Sequence, residues 1–179
     1  NKNSLMIIVG VIVGIIVLFK GYQTFYIEPL EKEAQTEAFM AELYFQKDSF
    51  NLALNGDGQY YGFLDIADEY SSTKVGNLAN YYAGLCYLHT GDYENAIEYL
   101  ENFSSNDMII SSLANGCTGD AYMELGDTDN AMAAYEDAIK NSDNKFTAPR
   151  YMMKLAAIHE LNEDYKEALE IYNTISEDF

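Results

Sequence analysis

Three stretches of this chain lie over one another without a gap, and that self-similarity constrains the fold more than any single residue does. "NYYAGLCYLHTGDYENAIEYL" begins at Asn80, "NGCTGDAYMELGDTDNAMAAY" at Asn115 and "MMKLAAIHELNEDYKEALEIY" at Met152. The matched alanines Ala96, Ala131 and Ala168 are 35 and 37 residues apart, a period that belongs to stacked supersecondary units. The shared chemistry is packing. Gly84, Gly119 and Ala156 are small where the first helix of a pair must admit the second, and Tyr87, Tyr122 and His159 fill the space between the two. Gly91-Asp92 and Gly126-Asp127 turn the chain: glycine takes backbone angles that other residues resist, and aspartate caps the next helix. The third copy has Glu163 at the glycine position. Ala96, Ala131 and Ala168 sit at the helix crossing, with Leu100, Tyr135 and Tyr172 one turn later. No single pair can bury its own faces, so the copies must stack.

These segments resemble tetratricopeptide repeats, and "GDYENAIEYL" is close to the family consensus for the turn and second helix. The resemblance covers residues 77–179 and implies an all-α fold, a solenoid (TPR) of helix pairs. It also implies that the first helices line a concave groove. Carried over position by position, that groove comprises Leu78, Tyr81, Leu85 and Leu88, then Leu113, Asp120, Met123 and Glu124, then Arg150, Met153, Ala157 and Glu160. A groove that clamps a carboxylate needs several lysines and asparagines. This one offers Arg150 amid leucine, tyrosine and methionine, a surface suited to apolar or extended segments.

Ahead of the repeats, Leu5 to Phe19 contains no charge, and the apolar character runs on to Ile27 with Lys20 as its interruption. A span needs roughly 20 apolar residues, so 5–27 is predicted to be a transmembrane helix, with 1–4 as an incomplete N-terminal tail. Lys20 can snorkel, and Tyr22, Phe25 and Tyr26 form an interfacial aromatic belt. The run ends in Phe19-Lys20-Gly21-Tyr22-Gln23-Thr24, without a small-residue cleavage site and without a nearby lipid-attachment cysteine, so it reads as an uncleaved anchor. Lys2 before the span and the net acidic stretch Glu28, Glu31, Lys32 and Glu33 beyond it favour a cytoplasmic N-terminus, a bias that Lys20 dilutes. Gly10 and Gly14 form a GxxxG that lets another membrane helix approach closely.

Residues 28–76 read as a juxtamembrane helix and a degenerate repeat. Ala34, Ala38, Phe39, Ala41, Leu43, Tyr44 and Phe45 mark an apolar stripe on a helix from Glu31 to Lys47. Pro29 suits a helix start or a kink. Ala41, Tyr44, Phe50 and Ala53 fall at the small, aromatic, turn and crossing positions. "NGDGQYYG" then intervenes before a helical stretch from Phe63 to Tyr70; it lacks the alternating carboxylates and distal glutamate of a calcium loop and reads as an irregular turn. The array ends at Phe179 without a polar cap, which is compatible with a longer native chain.

From Leu30 onward there are 28 acidic against 8 basic residues, a net charge of −20. That field repels phosphate backbones, so nucleic acid is not an expected partner. Cys86 and Cys117 match no CxxC or zinc spacing and read as small buried apolar residues, with a disulfide between them as the other option. His89 and His159 read as structural. No phosphate loop, nucleotide fingerprint or nucleophile elbow is present, so no catalytic residue, metal or cofactor is predicted, and no small-molecule substrate.

A short tail, an uncleaved span and an acidic repeat domain form a layout similar to that of the ancillary subunit family of the bacterial Sec (SecYEG) translocon. That likeness implies a single-pass inner-membrane protein with its TPR domain in the periplasm. Its implied partners are the translocation channel, a membrane-anchored periplasmic prolyl isomerase and translocating or unfolded chains, towards which it would act as a chaperone-like adaptor. The other reading is a scaffold of a different envelope complex, for outer-membrane protein assembly, secretion or motility.

Overall fold

The repeat register becomes paired helices. The computed structural model describes residues 2–140 and 145–179, and among these every regular element is helical. α1 (Lys2–Tyr22) passes through a π-helical turn (Gln23–Ile27) into α2 (Glu28–Gln46). Two short helices follow, α3 (Phe50–Asn55) and α4 (Phe63–Glu69). Three antiparallel pairs complete the chain: α5 (Lys74–Thr90) with α6 (Tyr93–Asn102), α7 (Met108–Glu124) with α8 (Thr128–Lys140), and α9 (Ala148–Leu161) with α10 (Tyr165–Asp178). Each second helix packs on its own partner and on the first helix of the next pair, α6 on α7 and α8 on α9. Asn1, the first residue of the expected tail, lies outside the described residues; helix begins at Lys2 rather than Leu5.

The small positions do what their size requires. A Cβ on Gly84 would come within 2.6 Å of Leu100 Cγ, and one on Gly119 within 2.5 Å of the Tyr135 ring. Leu100 and Tyr135 are the residues of the second helix that the sequence pattern sets opposite. Ala96, Ala131 and Ala168 are all buried at the crossings. A further glycine, Gly116, is equally constrained: a Cβ there would lie 1.9 Å from the Tyr151 ring, which reaches it from α9.

Four turns share one hydrogen-bond pattern. The amide of Asp92 donates to the Tyr87 carbonyl at 3.0 Å, Asp127 to Tyr122 at 2.9 Å and Asp164 to His159 at 2.8 Å. Ser49 donates to Tyr44 at 2.9 Å in the turn between α2 and α3. This is the six-to-one bond of a Schellman cap, and it needs a left-handed residue just before the donor. Those residues are Asp48 (φ 55°), Gly91 (φ 82°), Gly126 (φ 75°) and Glu163 (φ 64°). In each turn the crossing alanine then opens the second helix, donating to the residue after the left-handed one: Ala53 to Ser49, Ala96 to Asp92, Ala131 to Asp127 and Ala168 to Asp164.

Buried residues of α2–α5, with Ala34, Ala38, Ala41, Ala53, Phe63 and Ile66 among them, form one apolar cluster that continues into Ala83 and Cys86. Of the stripe predicted on α2, Phe39 is the exception. It is 63% exposed, because positions 34, 38 and 41 define the inward face and 39 points away from it. Two polar ties fix α2 to the turn before α5: the Lys74 amide donates to Glu31 Oε2 at 2.7 Å, and the Tyr70 hydroxyl to Glu33 Oε1 at 3.4 Å. At the other end, the Ser112 hydroxyl is buried between the Ala138 carbonyl (2.6 Å) and the Thr147 hydroxyl (2.9 Å), which pins α7 to the end of α8 and the start of α9.

Pro29 explains the π turn. Proline has no amide hydrogen, and its ring collides with the carbonyl four residues earlier, here that of Phe25. The wider turn shifts the register, so that the Glu28 amide donates to the Gln23 carbonyl, and the helix continues without a break. The apolar stretch and α2 therefore form one helix from Lys2 to Gln46; its 39 residues from Ile8 to Gln46 hold a window long and apolar enough to cross a membrane, with none of that window buried. Phe25 is 84% exposed, and the Tyr22 and Tyr26 rings stack at 5.2 Å. Gly10 and Gly14 face open space.

Candidate functional site

α5, α7 and α9 are the first helices of the three pairs and carry the predicted groove positions. The structure divides these positions among two recesses, the core and the exposed face of α9. Leu88 from α5, Asp120 and Met123 from α7 share a recess of about 340 Å³ with Tyr93, Glu124 and Lys154. Leu78 instead lines a smaller recess of about 240 Å³ between α2 and α5, with Gln35, Glu42, Phe63 and Tyr82. Tyr81 is only 9% exposed; it packs on Leu100 and Ala114, with Leu85 half-buried beside it, so its ring belongs to the seam of α5, α6 and α7. Leu113 is half-buried. On α9, Met153 is 57% exposed, and Arg150, Ala157 and Glu160 are exposed too. The Arg150 guanidinium lies 5.6 Å from the centre of the Tyr151 ring.

The wall of the larger recess is a polar knot across three helices. Asp120 Oδ1 accepts the Tyr135 hydroxyl at 2.6 Å and pairs with the Lys154 ammonium. Lys154 Nζ also lies 5.7 Å and 5.9 Å from the Tyr135 and Tyr151 ring centres, within cation–π range. Burial first, and then the bond to Asp120, push the Tyr135 hydroxyl well above its usual range, so it stays a donor. The knot neutralises Asp120, one of the three carboxylates that the sequence places in the groove; Glu124 and Glu160 stay exposed. Beside the knot the recess keeps the half-buried apolar side chains of Leu88 and Met123 and the exposed Glu124, while Met153 and Glu160 are exposed on α9 outside that lining.

Lys154 escaped the sequence reading, although a signal existed. It follows Asp120 by 34 residues, about one repeat, which sets the two on neighbouring first helices. The cap partners were legible in the same way: Asn95 and Asn130 each follow a cap aspartate by three residues and donate a side-chain amide to it at 2.8 Å.

Neither cysteine is bonded to the other. Burial pushes the Cys86 thiol up to about 12 and the Cys117 thiol up to about 11, the latter helped by Asp120. Both are protonated and weakly nucleophilic at neutral pH. Among the described residues no group of three or more metal-ligating side chains converges. The "NGDGQYYG" segment closes on itself through Asp57, which accepts from the amides of Gln59 and Tyr60 at 2.9 Å and from the Tyr44 hydroxyl at 2.6 Å. His159 takes the interhelix position in the last pair, its Nδ1 buried and 3.8 Å from Asp164 Oδ2.

Comparison with known families agrees with this geometry. Residues 118–177 match a family model described as tetratricopeptide repeat, and residues 78–107 match a second model of the same description. The first covers α8, α9, most of α10 and the C-terminal part of α7; the second covers most of α5 and all of α6. No curated protein matches the chain significantly. Neither family match indicates an enzyme; repeats of this kind are typically non-catalytic modules that bind proteins. The chain carries a tetratricopeptide-repeat solenoid, a scaffold for protein partners, joined to one N-terminal helix long and apolar enough to span a membrane.

Proposed function

We propose that this protein is a membrane-anchored accessory subunit of a Sec-type translocation machinery, an adaptor that offers its groove to extended apolar segments of chains leaving the membrane. The observation that carries this reading is the continuity of α1 with α2. A flexible linker would let the domain roam, whereas one helix tied to the α4–α5 turn through Glu31 and Glu33 keeps the groove close to the anchor. From Gln23 to Gln46 the rise is roughly 35 Å at 1.5 Å per residue. α2–α3 repeats the turn geometry of the later pairs and serves as a truncated first repeat that joins anchor to solenoid. The N-terminus lies in the cytoplasm and the repeats in the periplasm, with Gly10 and Gly14 as the face of the span that docks beside the channel.

The recess fits this role because the Asp120 carboxylate in its wall is already paired, so an apolar segment laid on it does not bury that charge uncompensated, while Glu124 stays exposed at the edge. Met123 and Met153 adapt to varied side chains, as a protein that meets many clients requires. Purification from the native membrane in mild detergent tests the assignment: channel subunits co-purify. Consistent recovery of outer-membrane assembly factors without the channel overturns it in favour of a different envelope scaffold. Gly10→Leu/Gly14→Leu lowers channel recovery if the span docks through that face, and Met123→Glu/Met153→Glu lowers client crosslinking while channel recovery is kept.

A further inference from the structure

The largest recess among those described lies at the membrane-proximal end of α2, apart from the recess of Leu88, Asp120 and Met123. It measures about 740 Å³ and opens between the π turn and the start of α5, lined by Tyr22, Gln23, Ile27, Glu28, Lys32 and Lys74, among others. Its size is that of a small-molecule site. Its place along the helix fixes what surrounds it. The apolar run opens at Leu5, and from there to Tyr22 the helix rises about 27 Å, close to the hydrocarbon core of about 30 Å. Tyr22 therefore ends the apolar layer, and Glu28, six residues on and about 9 Å further along, stands among or just beyond the headgroups. The exposed rings of Tyr22, Phe25 and Tyr26 mark the same level.

The charge of the recess differs from that of the domain around it. In a region that is −20 overall, Lys32 from α2 and Lys74 from α5 both line this recess, together with Glu28, Glu31 and Ser72. Both signs are present at headgroup depth, which matches a ligand carrying both. The π turn is the second feature of the place: Gln23 and Ile27, its first and last residues, both line the recess and are half-buried.

We propose that this crevice holds the headgroup of a zwitterionic phospholipid with a primary ammonium, phosphatidylethanolamine being the probe. The phosphate takes hydrogen bonds from Lys32, Lys74 and the Ser72 hydroxyl, and the ammonium donates to Glu28 and Glu31. A quaternary ammonium has no N–H to donate, so phosphatidylcholine satisfies half of the site. An anionic lipid meets the glutamates and the field of the whole domain. The bound headgroup would fix the tilt of the repeat domain on the bilayer. The inference rests on reading α1 as a membrane span.

The test uses the full chain in vesicles of equal parts phosphatidylethanolamine, phosphatidylglycerol and phosphatidylcholine. After extraction in mild detergent, native mass spectrometry counts retained lipids. Phosphatidylethanolamine is expected at five-fold or more over either competitor, and Lys32→Gln/Lys74→Gln reduces its retention at least five-fold. Lys140→Gln/Lys166→Gln, at the far end of the domain, leaves retention unchanged. The Lys74 bond to Glu31 is made by the backbone amide and survives the substitution; helicity and thermal midpoint verify that fold. Enrichment of phosphatidylglycerol, no enrichment, or retention indifferent to the two lysines overturns the proposal. If alkaline carbonate strips the protein from vesicles, the span reading fails and the proposal with it; if the protein stays embedded and shows no lipid preference, this proposal alone fails.

Discussion

The two middle turns of the solenoid and the two outer ones reach the same backbone geometry by different means. At Gly91 and Gly126 the left-handed residue is glycine, and the aspartate that follows caps the second helix with its side chain. At Asp48 and Glu163 the left-handed residue carries a side chain, and neither Ser49 nor Asp164 makes a side-chain cap. Yet the six-to-one bonds differ by no more than about 0.2 Å across all four turns. Glycine and the cap lower the cost of the turn; the crossing of alanine on alanine-sized space dictates it. The middle of the array is locally optimised, whereas the outer turns depend on their neighbours.

The same division holds for the small residues, and it gives the largest expected effect. Gly119 faces a Tyr135 ring that is buried and held by Asp120, so the ring cannot retreat. Gly119→Val is expected to cost about 3 kcal/mol by overpacking. Ala156→Val is at the matching register position opposite Tyr172, which is half-buried where Tyr135 is buried, and is expected to cost about 1 kcal/mol. Denaturant midpoints of the two variants measure the difference; equal losses would show that the end pair is packed as rigidly as the middle.

Capping comes next. Asp127→Ala removes bonds to the amide and side chain of Asn130 (3.2 and 2.8 Å) and is expected to cost about 1 kcal/mol. Asp164→Ala, which removes no side-chain cap, should stay within about 0.5 kcal/mol. Thermal unfolding of both variants checks this, and a larger loss at Asp164 would point to its approach to His159 as the hidden contribution.

Much of this was legible in the sequence because the informative residues recur. The small, aromatic and crossing positions appear three times in register, and the all-helical solenoid follows from them. The degenerate pair ahead of them was traceable through Ala41 and Ala53 but not through its turn, since nothing about Asp48 announces a left-handed angle. Likewise Gly116 is outside the repeated pattern: its role depends on Tyr151 arriving from another pair, a contact no local spacing encodes. The proposed groove positions fall on α5, α7 and α9 by register, but whether a residue such as Tyr81 faces outward or the seam depends on how far successive pairs rotate, which lies in the packing of Phe103, Ala114 and Leu100 around it. The π turn was hidden for a related reason: Pro29 signals an interruption without saying which form it takes.

Glu163→Gly separates local cost from packing most directly. A left-handed residue with a side chain costs of order 1–2 kcal/mol relative to glycine, and Glu163 is exposed, so its side chain contributes little burial to offset that. The substitution is expected to stabilise the domain by about 1 kcal/mol. Fast exchange of the Asp164 amide, bonded to the His159 carbonyl, should slow in the variant. No gain in the midpoint would mean that the outer turn already relaxes its strain elsewhere.

The smallest effect concerns the loop that follows the first outer turn. Tyr44 holds the aromatic position of that turn and donates its hydroxyl to Asp57. That bond, followed by those from the Tyr60 and Gln59 amides, holds the Asp57 carboxyl below its usual range. A carboxylate with a depressed folded pKa adds stability above its unfolded value, about 3.9. The contribution fades as pH falls through the lower folded value. Loop order around 55–62 is therefore expected to persist at neutral pH and to loosen only on strong acidification. Tyr44→Phe removes the largest cause of the shift, so the Asp57 titration, followed by carboxyl carbon NMR, should move upward towards the ordinary range. The left-handed angle at Asp48 should survive, because the Ser49 amide bonds the backbone carbonyl of residue 44 and not its hydroxyl. An unchanged Asp57 midpoint would assign the depression to the backbone amides instead, and would make this outer turn as independent of its loop as the middle turns are of theirs.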